Sequence, residues 1–234
     1  MKVVHIEARM RSETELPKEF VEDLPEKVAV FTTIQMMNSL EGIMDTIEES
    51  GREPVVFKTG HTRHKGQILG YNVQEWQDYS DEDFDAFVYV GDGLFHPKAL
   101  LWKNPDKKVY GYNPFNDTTY ILTDEEVAHV RKKYKAALSL FHKEDDIGVL
   151  VSTKPGQFFL QKSLELQDEY PDKNFHYLID NTVDFFNLED FNFVDVWVNT
   201  ACPRIAFDDS IKIEKPVVNL EDVKKEDSRR ALIQ

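Results

Sequence analysis

Seven short apolar runs, bounded by charge or turn residues and separated by helix-length stretches, constrain the fold of this 234-residue chain most tightly. They are Lys27 to Thr33, Pro54 to Lys58, Asp85 to Gly91, Lys108 to Tyr112, Ile147 to Thr153, Phe175 to Ile179 and Val194 to Thr200. Each is rich in β-branched and aromatic residues, the signature of strands buried in a parallel sheet. Helical stripes lie between them. Leu40, Ile43, Met44 and Ile47 share one helix face, with Ser39 as its cap and Gly51 as its stop. Val127, Val130, Tyr134, Leu138 and Phe141 form a longer stripe behind a Thr123/Glu126 capping box. Phe159, Leu160, Leu164 and Gln167 predict a third helix that ends before Pro171.

Strands alternating with helices imply right-handed βαβ units. The pattern also occurs twice. Val28 to Gln35 (VAVFTTIQ) is echoed by Ile147 to Gln157 (IGVLVSTKPGQ), and Phe84 to Gly93 by Phe193 to Arg204. The expectation is therefore two similar Rossmann-like α/β domains with parallel sheets flanked by helices. Residues 1–24 are expected to be a lead-in strand and linker, 25–115 the first domain, 116–222 the second, and 223–234 a charged, frayed tail. Turn chemistry at Asn113 to Asp117 suits the boundary.

Formal net charge is −15, which repels phosphate backbones and argues against nucleic acid as a partner. Either solubility or an acidic face for a basic protein accounts for it. No apolar run approaches the roughly 18 residues of a membrane helix. Charges interrupt the first residues at once, so the expected compartment is the cytoplasm. Cys202 is the single cysteine, which rules out an intramolecular disulfide and any site built only from this chain's thiolates.

Ligands of open α/β sheets collect beyond the carboxyl ends of the strands. The loops there hold the candidate residues: Thr33 and Gln35, then Gly60 to Gln67, Gly91 to Pro97, Ser152 to Gln157, and Asn199 to Arg204. His61, Arg63, His64 and Lys65 form either a solvated basic loop or an anion or metal site. A hydrolase using His61, His64 and His96 is a poor fit, because no carboxylate spacing supports it. Gly91-Asp92-Gly93 reads as a tight turn, since a dinucleotide fingerprint needs a third glycine and a helix directly after it. Lys154-Pro155-Gly156-Gln157 is expected to open a helix and either cap it or hold a carboxylate. Cys202 is either a buried small hydrophobe or a thiolate beside Arg204.

Five of these segments, in order, resemble motifs of the diphthamide synthase family. They are Thr32 to Gln35, Gly66 to Gly70, Tyr89 to Pro97, Val151 to Gln157 and Asn199 to Asp209, and Ile6 to Arg9 resembles the strand that closes the family's first domain. The resemblance implies three-domain relatives in which each domain supplies one cysteine to a [4Fe–4S] cluster. Cleavage of S-adenosylmethionine there yields a 3-amino-3-carboxypropyl radical that alkylates a histidine of translation elongation factor two. It implies that Cys202 is a cluster ligand, that Thr33, Gln35, Gln67, Lys154, Gln157 and Arg204 face substrate, and that Asp208 supports them. It also implies departures. Most of the first domain is missing, Tyr71 stands where a second cysteine is expected, and Asn38 stands where histidine is frequent. The resemblance therefore leaves two parts for the chain. One is a synthase, working as a homodimer or a heterodimer with a complete subunit. The other is a non-catalytic binding subunit of such a pair.

Overall fold

The computed structural model describes residues 4, 6–59, 62–69, 79, 82–207, 209–210 and 212–224. The chain divides into two compact units, 1–128 and 129–234. The first sheet contains β1 (Lys27–Thr32), β2 (Glu53–Val55), β3 (Ala86–Val90), β4 (Val109–Asn113) and β5 (Thr118–Leu122), in the order β2-β1-β3-β4-β5. The second contains β6 (Asp146–Ser152), β7 (Asn174–Asp180), β8 (Val196–Asn199) and β9 (Val217–Asn219), in the order β7-β6-β8-β9. All pairings are parallel except the β4–β5 hairpin. The echo in the sequence is thus an echo in topology. In each unit the leading strand pairs with its successor on one side and with the third strand on the other.

The central strands form where they do because their side chains have somewhere dry to go on both faces. Val28, Val30 and Phe31 of β1 are completely buried, as are Ile147, Val149, Leu150 and Val151 of β6. Each such side chain contributes about 1.5–3 kcal/mol relative to exposure. The helix α2 (Leu40–Glu49) buries Leu40, Ile43 and Ile47, the expected stripe, and stops at Gly51 with φ +83°. Ser39 precedes it, but its hydroxyl caps nothing in α2; it accepts the Thr14 N–H at 3.0 Å instead. The Thr123/Glu126 box does close, with Glu126 Oε2 accepting the Thr123 N–H at 2.6 Å ahead of α4 (Glu125–Lys143).

Several elements differ from the sequence expectation. Residues 16–24 are not a plain linker. They contain α1 (Lys18–Glu22), and Leu16, Phe20, Val21 and Leu24 enter the core beside Val28 and Ile43. β5 has no counterpart among the predicted strands, because Thr118, Thr119 and Ile121 face solvent and leave no buried run. The expected 115/116 boundary falls in the turn between β4 and β5. The third helix is two short ones, α5 (Leu160–Leu164) and α6 (Leu166–Glu169). The helices α3 (Phe95–Leu101) and α7 (Arg204–Phe207) were not expected either. Neither was α8 (Leu220–Val223), where the tail was expected to begin at residue 223. Val223 is completely buried and its carbonyl accepts the Tyr170 hydroxyl at 2.5 Å, so the chain is anchored to that point.

Candidate functional site

Strand order reverses between β1 and β3 in the first unit and between β6 and β8 in the second, and such switch points open a crevice beyond the carboxyl ends. A threonine ties the strand ends together at both. The Thr32 hydroxyl donates to the Val90 carbonyl at 2.7 Å, and the Thr200 hydroxyl donates to the Leu150 carbonyl at 2.9 Å. Both threonines are buried, and the Leu150 carbonyl takes the Thr200 N–H at 3.0 Å as well, so each hydroxyl is matched without water.

In the first unit the loop after β2 folds back over β1. Gln67 forms a parallel bridge with Thr32, and Ile68 N–H donates to the Thr32 carbonyl at 2.8 Å. The Gln67 side chain oxygen accepts the N–H groups of Arg63 and His64, at 3.1 and 3.2 Å, so this candidate substrate contact first of all builds its own loop. Gly66 must be glycine there. Its φ is +72°, and a Cβ would stand 2.8 Å from Leu40 Cδ2. Thr33 is half-buried at the start of a 3₁₀ turn, and its carbonyl accepts the Met36 N–H. Gln35 is exposed, with its carbonyl taken by the Met10 N–H. Gly91-Asp92-Gly93 is a turn, as expected. The Tyr89 hydroxyl runs beneath it to the Asp92 carbonyl at 3.1 Å, and a Cβ at Gly91 would sit 2.6 Å from that hydroxyl.

The basic loop has an acidic partner. Glu7 receives Arg9 at 2.7 Å, His64 at 3.0 Å and Arg63 at 3.4 Å. His64 Nε2 also lies 3.0 Å from Arg9, so as N–H it donates to Glu7 and as a bare nitrogen it accepts from Arg9. The hydrogen bond from His64, then that from Arg9, hold the Glu7 carboxyl down from 4.5 to about 2. The depressed value means that the Glu7 contribution is complete above 4.5 and is lost only as pH falls through about 2. Glu7→Gln is therefore expected to speed trypsin cleavage at Arg9 and Arg11 at pH 7, where the native carboxylate is fully charged. Cleavage of the variant at the native rate would show that the ion cluster does not hold the segment. His61 and Tyr71 lie outside the described residues.

In the second unit, Lys154-Pro155-Gly156-Gln157 does not open a helix. Gln157 N–H closes onto the Lys154 carbonyl at 3.0 Å, with proline second and a glycine of φ +81° third, the arrangement of a type II turn. The helix α5 begins three residues later. Lys154 is exposed on this turn and Gln157 half-buried.

The loop after β8 carries Cys202, which is half-buried. Its carbonyl accepts two donors, Asn199 Nδ2 at 2.9 Å and Ile205 N–H at 3.0 Å. Asn199 also accepts the Ala201 N–H at 3.0 Å and donates to Asn219 Oδ1 at 2.8 Å. Asn219 in turn donates to the Pro203 carbonyl at 3.2 Å. Its own N–H reaches the Tyr134 hydroxyl at 2.9 Å, and that hydroxyl donates to Asp222 at 2.5 Å. Burial, and the Asp222 carboxylate beside it, push the Tyr134 hydroxyl far above its usual pKa, so it stays a donor. Arg204 opens α7 and is 8% exposed. Asp208 lies outside the described residues. Asn219, Tyr134 and Asp222 were not among the sequence candidates. The only hint is that Val217-Val218-Asn219 is a short apolar run ending in a carboxamide, as Val196 to Asn199 is.

Among the described residues no helix is long and apolar enough to cross a membrane. A profile of the diphthamide synthesis protein family matches residues 1–225. The 2-(3-amino-3-carboxypropyl)histidine synthase of Methanocaldococcus jannaschii is 33% identical over 197 residues, which cover 81% of this chain and 56% of that protein. Subunit 1 of the synthase of that name from Yarrowia lipolytica is 30% identical over 158 residues, 66% of this chain and 35% of that protein. The crystal structure of Dph2 from Pyrococcus horikoshii matches with a TM-score of 0.68 at 26% identity, covering 87% of this chain and 57% of that one. A further structure of that protein, with a 4Fe-4S cluster, matches the fold at the same TM-score of 0.68. The chain spans about half the length of the curated relatives it matches. With two α/β units, a profile match over residues 1–225 and a relative 33% identical across 81% of its length, the chain belongs to the diphthamide synthesis protein family.

Proposed function

We propose that this chain serves the first step of diphthamide biosynthesis, transfer of a 3-amino-3-carboxypropyl group from S-adenosylmethionine to a histidine of translation elongation factor two. The observation that carries the reading is the Cys202 loop. It stands at the switch point of the second sheet, and hydrogen bonds to the backbone carbonyls of Cys202 and Pro203 hold it there. A [4Fe–4S] cluster, when bound, supplies the electron that cleaves S-adenosylmethionine. This chain alone does not fit such a cluster. It has one cysteine, and among the described residues no group of three or more His, Cys, Asp or Glu is arranged to hold a metal. Its part is then that of a subunit: Cys202 as one ligand, with the remaining thiolates from another polypeptide. Arg204 and Gln157 take the carboxylate and amine of the methionine end. Thr33, Gln35, Gln67 and Lys154 complete the substrate contacts, with Asp208 in support. The cytoplasm, where elongation factor two works, is the compartment of the reaction.

One feature favours a second reading, a non-catalytic partner of a complete synthase subunit: Tyr71 stands where the family resemblance places a cysteine. Calorimetric titration separates the two. S-Adenosylmethionine is expected to bind weakly, and Arg204→Ala to weaken it about ten- to a hundredfold through loss of charge-assisted hydrogen bonds. Methylthioadenosine, which has no carboxylate, is expected to lose little. Equal losses for the two ligands would remove Arg204 from the carboxylate role. Absence of binding by either ligand would favour the partner reading.

A further inference from the structure

The network under the Cys202 loop has more hydrogen bonds than a turn requires. The Cys202 carbonyl is already satisfied by the Ile205 N–H, yet it takes a second donor from Asn199. Asn199 and Asn219 are each 2% exposed, and burying two carboxamides is costly unless every polar atom is matched. Here the matching runs in one direction only. The Ala201 N–H is a fixed donor, so the oxygen of Asn199 must face it and the nitrogen must face Cys202 O and Asn219. That places the oxygen of Asn219 toward Asn199 and its nitrogen toward the Pro203 carbonyl. The chain of bonds then continues through the Asn219 N–H to Tyr134 of α4 and Asp222 of α8. Two consecutive carbonyls, one on either side of the Pro203 residue, are thereby tied to four elements of the unit, β8, β9, α4 and α8. Proline fixes its own φ as well.

We propose that Asn199 and Asn219 are positioning residues for Cys202: the buried carboxamide pair holds the Cys202–Pro203 backbone and so sets how the sulfur is presented to a metal centre. This rests on the reading of Cys202 as a ligand, while the clamp itself can be tested without metal.

Because Cys202 is the single cysteine, alkylation by iodoacetamide followed by intact-mass measurement reports on this loop alone. Asn199→Ala and Asn219→Ala are expected to change the alkylation rate about tenfold, as the loop gains open states at temperatures where the fold is intact by circular dichroism. Asn219→Asp still accepts from Asn199. It regains a donor toward Pro203 only when protonated, so its departure from the native rate is expected to shrink as pH is lowered. Leu166→Ala, in the completely buried position of α6, serves as a destabilised control and is expected to alkylate at the native rate. Native rates in both alanine variants, or the same change in the Leu166 control, would overturn the proposal. If either alanine variant fails to fold, Asn219→Asp against the Leu166 control decides by the same criterion. Iron analysis of the complex with a thiolate-bearing partner tests the ligand reading separately. Cys202→Ala leaving iron content unchanged there would sink that reading and leave the alkylation result standing.

Discussion

Reconstituted alone and anaerobically with iron and sulfide, the chain is expected to retain far less than one [4Fe–4S] cluster per polypeptide. The reason is ligand count. Such clusters are held by several thiolates, and this chain offers one, Cys202. A second copy would add only one more, so thiolates from another polypeptide, such as a complete synthase subunit, would have to supply the rest. Purified together with the right partner, the pair is expected to show the broad visible absorption of the cluster, and Cys202→Ala to reduce its iron content. A near-stoichiometric band in the isolated chain, abolished by Cys202→Ala, would refute the subunit assignment. The effect is close to all or none, which makes it the most decisive measurement available.

Gly148→Ala is expected to destabilise the second unit by about 3 kcal/mol, at the upper end of what overpacking a core costs. Gly148 lies on β6 in register with Trp197 of β8, and the indole covers it. A Cβ there would stand 2.3 Å from two ring carbons. The indole cannot step aside, because Trp197 is 1% exposed and its ring packs edge-on against Phe191 at 6.0 Å. Replacing Trp197 by Leu in the Gly148→Ala background is expected to return part of the loss, since the clash partner is gone. Urea denaturation measures both. A wild-type midpoint for Gly148→Ala would mean that the strand pair can spread, and the packing argument would fail. Gly111 and Tyr120 make the same pairing across β4 and β5, with a Cβ only 2.1 Å from the tyrosine ring.

Local chemistry made much of the fold legible in the sequence alone. The apolar runs of β1, β3, β6 and β8 announce buried parallel strands, since both faces must be dry for such a run to persist. The Leu40–Ile43–Ile47 stripe and the Thr123/Glu126 box announce helices. The Pro155-Gly156 pair also carries its answer, because only a type II turn wants proline and then a positive-φ glycine. The expected helix start fails there because Phe158 and Phe159, which follow the turn, are exposed and give a helix no buried face to begin on. What the sequence could not show is pairing between distant residues. β5 exists because β4 offers it an edge, whereas three of its five side chains, Thr118, Thr119 and Ile121, face water. Ser39 sits where a cap belongs, but a segment 25 residues away takes its hydroxyl. The clamp on Cys202 joins Tyr134, Asn199, Asn219 and Asp222, positions that no spacing rule connects. Sequence determined which residues turn, which bury and which single thiol is available; the tertiary structure decided which carbonyls those residues hold, because a hydrogen bond depends on the approach of two atoms and not on their separation along the chain.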